Sequence, residues 1–235
     1  MRIVLVNHGT AGEWGGGDSV QIKKTAEKLI ERGHEISIQN ADRPNVRDAD
    51  LVHIFNCRVF TSFERQIASA QAAGKPIVVS PIWINLGRAL WGSRGTFGIL
   101  RKGVLEGEDS IRKELEQLKA RTLQVNMENG YLLPDGNGTY DLGWVKKMSY
   151  LLRQVDAILP NSWLEMKAVQ ADLNWSGSTF GVAPYGVDPK QFMDADPKVF
   201  REFSGIKSEF ILQAGRIEAG KNQAMLCWAM KNTNI

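Results

Sequence analysis

The stretch "IVLVNHGTAGEWGGGDSVQIKKTAEKLIERGHEISI", residues 3 to 38, decides the fold. Its first four residues form a continuous apolar run, which is typical of a strand buried on both faces. A glycine-rich loop follows, and Asp18 with Gln21 predicts the capped start of a helix. Gly33 suits the left-handed stop at the end of that helix. One face of the predicted helix carries four apolar residues: Ile22, Ala26, Leu29 and Ile30.

Strand and helix patterns alternate along most of the remaining chain. The predicted strands are "EISIQ" (35–39), "DLVHIF" (50–55), "KPIVVS" (75–80), "DAILP" (156–160) and "TFGVAP" (179–184). Helical patterns over 63–74, 144–155 and 162–173 separate them, while the rhythm breaks between residues 85 and 137. Alternation of this kind implies a parallel sheet with helices on both faces, which is an α/β, Rossmann-like fold.

Composition narrows the class of protein. Hydrophobic residues make up 43% of the 235 residues and charged residues 23%, as in an ordinary globular protein. The net charge of +3 is mild, and we predict no nucleic-acid partner. Cys57 and Cys227 lack the spacing of a metal site, and we expect a cytoplasmic protein without a disulfide or a metal.

The segment "GRIEAGKN", residues 215 to 222, is typical of an anion-binding loop. It follows the apolar run "FILQA", predicted as a strand buried on both faces, and it precedes a predicted helix. A magnesium-dependent phosphate loop would need a hydroxyl residue at Asn222 and further strands downstream. A dinucleotide fold would need G-x-G-x-x-G directly after the first strand and an acidic residue after the second, and both are missing.

The order of motifs resembles that of the large retaining glycosyltransferase family 4, which has the GT-B fold. The motifs are "GGG" (15–17), "RGHE" (32–35), "YGVDPKQF" (185–192) and "GRIEAGKN". The resemblance spans the chain and weakens over 85–137. It implies two Rossmann-like domains facing each other across a cleft. It also implies transfer of a sugar, with retention, from a nucleotide-sugar donor to a glycan, lipid or small-molecule acceptor. No cofactor or metal is implied, and such enzymes serve processes such as cell-envelope polysaccharide biosynthesis.

The resemblance also implies site residues. Arg216 and Lys221 match the pair that binds the donor diphosphate, and fixed cations would stabilise the charge on that leaving group. Three glycines match the loop that approaches the donor phosphates and sugar from the first domain: Gly15, Gly16 and Gly17. The cleft candidates are His8, His53 and Asp188. The catalytic residues stay unassigned, because "VVSPIW" (78–83) lacks the histidine that the family commonly places after the fourth strand.

The resemblance divides the chain into three parts. Residues 1–186 match the N-terminal, acceptor-side domain, 187–207 an interdomain linker, and 208–235 the first strand, loop and helix of the donor-binding domain. The paired-glutamate motif of the family would lie beyond residue 235, so we expect an N-terminal fragment that is inactive alone. The alternative is a non-catalytic Rossmann-like binding or regulatory protein derived from such an enzyme.

Two segments predict further contacts. Residues 88–102, "RALWGSRGTFGILRK", mix cations with large apolar side chains. This mixture suits either peripheral contact with the inner face of an anionic membrane or a basic loop that caps the core. The apolar tail at 208–235 needs a cover, either its own first domain or a second copy of the chain. We expect the second copy, in a homodimer.

Overall fold

The computed structural model describes residues 1–11, 16–84, 106–110, 112–113, 116, 142–177, 179–215 and 221–233. The chain divides into two compact units. Unit 1 comprises Met1–Asn85 and Tyr140–Tyr185, and unit 2 comprises Leu86–Thr139 and Gly186–Ile235. The predictions for Gly15, Arg216 and residues 88–102 lie outside the described residues.

A parallel sheet forms the centre of unit 1. Its strands are β1 (Arg2–Asn7), β2 (Glu35–Asn40), β3 (Leu51–Phe55), β4 (Ile77–Ser80) and β5 (Ala157–Ile158). Their order in space is β2-β1-β3-β4-β5, and every pairing is parallel. This confirms the predicted α/β, Rossmann-like fold. The predicted strand over 179–184 reduces to a single bridge between Ile158 and Phe180.

Helices cover the sheet because a connection between two parallel strands must return along a face of the sheet. They are α1 (Gly17–Glu31), α2 (Phe60–Ala72), α3 (Leu142–Leu152) and α4 (Trp163–Leu173). The crossovers through α1 and α2 run in opposite directions along the sheet. Because such crossovers are right-handed, α1 and α2 pack on opposite faces. One apolar cluster joins the sheet to α1, and its buried members are Ile3, Leu5, Ile22, Ala26 and Phe55.

The ends of α1 differ partly from the prediction. Gly16 is the N-cap residue and Asp18 lies in the first turn, so the prediction that Asp18 begins the helix is wrong. The stop at Gly33 is confirmed: its φ is +82°, and its amide donates to the carbonyl of Ile30 at 2.9 Å. Ile30, which was predicted on the apolar face, is 57% exposed.

Unit 2 contains short helices in its described part. They are α5 (Lys190–Met193), α6 (Pro197–Ser204) and α7 (Gln223–Met230). The predicted linker at 187–207 therefore includes α5 and α6, and the helix predicted after Asn222 is confirmed. Residues 210–214 form no strand, and Leu212 is 65% exposed. The prediction of a buried strand there is wrong, because no described strand of unit 2 lies beside it to complete a ladder.

Gly16 and Gly17 provide a matched test of the loop before α1. A Cβ at Gly16 would lie 2.6 Å from Oδ1 of Asp18, whereas a Cβ at Gly17 meets nothing within 4 Å. We expect Gly16→Ala to destabilise the fold by about 1 kcal/mol, because Asp18 must shift. Gly17→Ala should stabilise it by about 0.5 kcal/mol, because alanine favours the helix. Urea unfolding of both variants measures the difference, and equal midpoints would contradict the geometry at Gly16.

Candidate functional site at the carboxyl edge of the sheet

The strand order of unit 1 reverses between β1 and β3. Connections leave β1 toward one side of the sheet and β3 toward the other, so a crevice opens outside the carboxyl ends of these strands. Ligands of open α/β sheets bind at such switch points. His8 follows β1 and Asn56 follows β3, which puts both residues at this place.

Asp18 joins the two sides of the switch point. Its Oδ2 atom accepts a hydrogen bond from Nδ2 of Asn56 at 3.1 Å and lies 3.4 Å from Nε2 of His8. The other oxygen, Oδ1, accepts from the Ser19 amide at 2.9 Å. A side chain at the N-terminus of α1 thus connects the loops that follow β1 and β3.

The electrostatics of Asp18 favour its ionised form. Burial raises the pKa of Asp18, but the hydrogen bonds from Asn56 and the Ser19 amide, together with the nearby His8 imidazole, outweigh burial and lower the pKa below its ordinary value of 3.8. A carboxylate near a helix N-terminus also interacts favourably with the helix dipole. At neutral pH Asp18 is therefore a negatively charged hydrogen-bond acceptor, and beside it Nε of Arg58 donates to Oδ1 of Asn56 at 3.2 Å.

The backbone of the edge holds strained conformations. Asn56 has a φ of +69° and Ile82, which follows β4, has a φ of +49°. A β-branched residue rarely adopts the left-handed region, and such strain persists only where surrounding contacts enforce it. Here the Cys57 amide donates to the carbonyl of Pro81 at 3.0 Å, which ties the loop after β3 to the loop after β4.

A fully buried asparagine lies under the same edge. Asn7 ends β1 and is 0% exposed. Its Oδ1 accepts from the His8 amide at 2.9 Å, while its Nδ2 has no hydrogen-bond partner within the described residues. A buried donor of this kind is costly unless water or a ligand satisfies it.

Glu165 connects the loop after β4 with the start of α4. It is 6% exposed, and its carboxylate accepts hydrogen bonds from the backbone amides of Trp83 and Asn161. Its own amide donates to Oγ of Ser162 at 3.1 Å, which caps α4. Burial raises the pKa of Glu165, and the two amide bonds oppose that rise.

Three neighbours of Glu165 complete the edge. Nδ2 of Asn161 donates to the Tyr185 hydroxyl at 3.1 Å. Burial raises the pKa of Tyr185, against the opposing effect of the Asn161 bond. Cys57 is completely buried, and burial with the nearby Glu165 charge raises the pKa of its thiol to about 12. Tyr185 is therefore a neutral hydroxyl at pH 7, and Cys57 an inert thiol.

The structure brings together only some of the predicted site residues of unit 1. His8 lies beside Asp18 at the carboxyl edge of the sheet, and Gly16 and Gly17 directly precede Asp18 in the chain. His53 does not join it: the imidazole lies within β3, 7% exposed, with Nε2 2.9 Å from Oγ of Ser80 and the ring stacked on Phe55. Burial lowers the pKa of His53 to about 4, so the ring is neutral and structural.

The described residues that flank the predicted anion-binding loop of unit 2 lie close together. Nε2 of Gln213 donates to the carbonyl of Lys221 at 2.7 Å, which brings the two ends of the loop together. Gly215 has a φ of +154° and Asn222 a φ of +58°, and α7 begins directly afterwards. Asp188, the remaining cleft candidate, accepts a hydrogen bond from the Lys190 amide at 3.1 Å and so helps to begin α5.

Sequence reasoning missed Asn56, Glu165 and Tyr185. A signal for Glu165 was present, because "SWLE" at 162–165 has the S-x-x-E pattern of a capping box. The interaction of Glu165 with Trp83 spans 82 residues and leaves no local pattern. Asn56 meets Asp18, and Tyr185 meets Asn161, only through the tertiary fold.

Comparisons with known proteins give no match. No family model matches the chain, and no curated protein or solved structure is similar to it at a significant level. Among the described helices, none has the length and apolar character needed to cross a membrane. Within the same residues, no three histidine, cysteine, aspartate or glutamate side chains are grouped in a way that could hold a metal ion.

Asp18 predicts a pH dependence of stability. Because the pKa of Asp18 is lowered in the folded chain, its contribution is complete above the ordinary value of 3.8 and is lost as the pH falls through the lowered value. We expect the free energy of unfolding to fall less steeply between about pH 4 and 2 in Asp18→Asn than in the unmodified chain. Asp48→Asn, at an exposed carboxylate of unit 1, is the control. Urea unfolding measures this free energy for all three proteins. An equally steep fall with decreasing pH in all of them would refute the role of Asp18.

Replacement of Glu165 by glutamine should lower the free energy of unfolding at neutral pH. In Glu165→Gln one carboxamide nitrogen replaces an acceptor, so one of the two amides of Trp83 and Asn161 loses its partner. We expect a cost of about 1–3 kcal/mol, the usual penalty for an unsatisfied buried donor. Glu64→Gln, at an exposed position of α2, should change stability by less than about 0.5 kcal/mol. Denaturant midpoints, followed by tryptophan fluorescence, measure the stability of both variants. An unchanged midpoint in Glu165→Gln would contradict the role of Glu165 in holding the two amides.

Proposed function

We propose that this chain is a cytoplasmic, nucleotide-sugar-dependent glycosyltransferase of the retaining, GT-B type, or a part of one. Unit 2 supplies the anion loop that holds the donor diphosphate, and unit 1 binds the acceptor at the carboxyl edge of its sheet. The resemblance in motif order suggests the reaction class. The contact between Gln213 and Lys221 is the single observation that supports it best.

The hydrogen bond between Gln213 and Lys221 is that observation. It places Gln213, near the end of the "FILQA" run, beside Lys221, two residues before α7 begins. The first amides of a helix are not used within it, and they carry the positive end of the helix dipole. Lys221 adds a full positive charge one residue before the N-cap. This combination favours a phosphate group.

The chemistry of sugar transfer needs such a loop. Negative charge develops on the diphosphate as the bond to the sugar breaks, and donors that are already in place stabilise it without reorganisation. Lys221 would act as a point charge, and Arg216 as a planar, bidentate donor.

One observation favours the non-catalytic alternative. The segment after β4, where the family commonly has a histidine, is anchored by Trp83, whose amide donates to Glu165 and whose Nε1 donates to Asp172 at 2.9 Å. This anchor stabilises the fold without presenting an acid or a base. A chain that binds nucleotide sugars and never transfers the sugar would have kept the loop for recognition alone.

Nucleotide binding tests the role of Lys221. We expect the 235-residue chain to bind at least one of UDP, GDP and ADP, and Lys221→Ala to weaken that binding about tenfold, which corresponds to roughly 1.4 kcal/mol. Lys198→Ala removes an exposed charge from α6 of the same unit and should leave the affinity unchanged. Calorimetric titration measures all three proteins. Absence of binding to every diphosphate, or equal affinities in the two variants, rejects the proposal.

Turnover separates the enzyme from the binding protein. In an active chain, Arg216→Ala or Lys221→Ala should reduce transition-state stabilisation by about 2–4 kcal/mol, as loss of one preorganised donor does. Release of nucleoside diphosphate from a panel of nucleotide sugars, with and without added acceptors, is the measurement. Tight binding that depends on Lys221 without any release would favour the non-catalytic alternative.

A further inference from the structure

Unit 1 exposes a group of aromatic side chains beside the start of α4. Trp163 is 63% exposed, Tyr185 52% and Phe180 36%. We name these three residues the aromatic platform. Trp163 and Phe180 come together because residues 179–183 run alongside 158–160, with the Gly181 amide donating to the carbonyl of Ile158 at 3.1 Å and the Ala183 amide to that of Pro160 at 2.8 Å. Tyr185 joins the group through Asn161, whose Nδ2 donates to the Tyr185 hydroxyl at 3.1 Å.

The rings of the platform have a defined geometry. Trp163 and Phe180 meet edge to face, with centroids 5.7 Å apart and an interplanar angle of 88°. On its other side Phe180 meets Trp175 at 6.2 Å and 86°, and Trp175 is only 5% exposed. A buried indole thus supports Phe180, which in turn fixes the orientation of the exposed indole of Trp163.

Polar groups border the exposed rings. Nδ2 of Asn161 donates to the hydroxyl of Tyr185 at 3.1 Å, and the raised pKa of Tyr185 keeps this hydroxyl protonated. Within the described chain, Nε1 of Trp163 has no hydrogen-bond partner. The indole N–H and the tyrosine O–H are therefore donors that lie at the rims of flat apolar faces.

The backbone beneath the platform is held in place. Glu165 accepts from the Asn161 amide, and Oγ of Ser162 accepts from the Glu165 amide at 3.1 Å. These bonds fix the turn from which the Asn161 and Trp163 side chains project. Binding groups that are already in position lose little conformational freedom when a ligand arrives.

We propose that the aromatic platform binds a saccharide, and that the acceptor of this protein is therefore a glycan and not a lipid. The negatively charged face of an aromatic ring attracts the polarised C–H groups on the flat side of a pyranose ring. The hydroxyl groups around the pyranose can pair with the indole N–H, the tyrosine hydroxyl and the Asn161 amide. An acyl chain would cover the same polar groups and leave them without partners, which is unfavourable.

The acceptor role rests on the proposed glycosyltransferase function, but saccharide binding at the platform is measurable without any nucleotide. We expect the 235-residue chain to bind at least one of three neutral tetrasaccharides, cellotetraose, maltotetraose and chitotetraose, with a saturable change in tryptophan fluorescence and in calorimetry. Trp163→Ala should weaken this binding at least tenfold, whereas Trp163→Phe should retain most of it. Trp163 is exposed, so circular dichroism should show both variants folded.

Tyr150→Ala is the matched control. Tyr150 is an aromatic residue of unit 1 with 64% exposure, and it lies near the end of α3, which leads into the amino end of β5. The platform lies at the opposite, carboxyl edge. Loss of this ring should therefore leave the saccharide affinity unchanged.

Three outcomes would overturn the inference. They are no binding of any tetrasaccharide, equal affinity in Trp163→Ala and the unmodified chain, and binding to phosphatidylcholine vesicles that depends on Trp163, which would assign the platform to a lipid surface. Failure here with intact, Lys221-dependent binding of a nucleoside diphosphate would leave the proposed function standing. Trp163-dependent saccharide binding without any binding of a nucleoside diphosphate would reject the proposed function and leave unit 1 as a saccharide-binding unit.

Discussion

The carboxylate of Glu165 is the constraint on which the described edge of unit 1 depends. It receives backbone amides from two loops, the one that follows β4 and the one that precedes α4. Because these loops leave neighbouring strands, one buried side chain sets their separation. The loop after β4 contains Ile82 in a left-handed conformation and the buried Trp83, and Asn161 provides the second amide. A neutral residue of similar size could not accept from both amides at once.

The edge combines two chemically different halves. Around the switch point, Asp18 is ionised and accepts hydrogen bonds, and His8 and Asn56 surround it. Beside α4, the groups are neutral and partly aromatic, with Asn161, Trp163 and Tyr185 exposed to different degrees. Neither half presents a concentration of positive charge, whereas the loop at 215–222 of unit 2 carries Lys221 and, in its sequence, Arg216. Under the proposed function, anion recognition and hydroxyl recognition would therefore belong to separate parts of the chain.

The sequence was sufficient to predict β1, β3 and β4 because each is an apolar run, and β2 because its isoleucines alternate with polar residues, as in an edge strand. It also predicted α1 to α4, with boundaries that shift by a few residues. It failed at 210–214, since a strand is defined by its neighbours and "FILQA" has none among the described residues. It also could not distinguish a cleft histidine from a buried one, because the partner of His53 is Ser80, 27 residues away. The contacts that join separate loops of the site are distant in sequence, whereas the capping pattern at Ser162 and Glu165 is local.

The two cysteines differ in burial, and this difference makes opening motions of unit 1 measurable by thiol labelling. Cys57 is completely buried behind β3, whereas Cys227 is exposed on α7. Only a thiolate reacts rapidly with an alkylating reagent, so a buried thiol with a pKa near 12 stays unlabelled while the sheet is intact. The rate at which Cys57 is labelled therefore measures how often the loops after β3 and β4 separate, on the free-energy scale used for amide exchange. Cys227 is labelled at once, so each molecule carries both the thiol that reports opening, Cys57, and an internal standard.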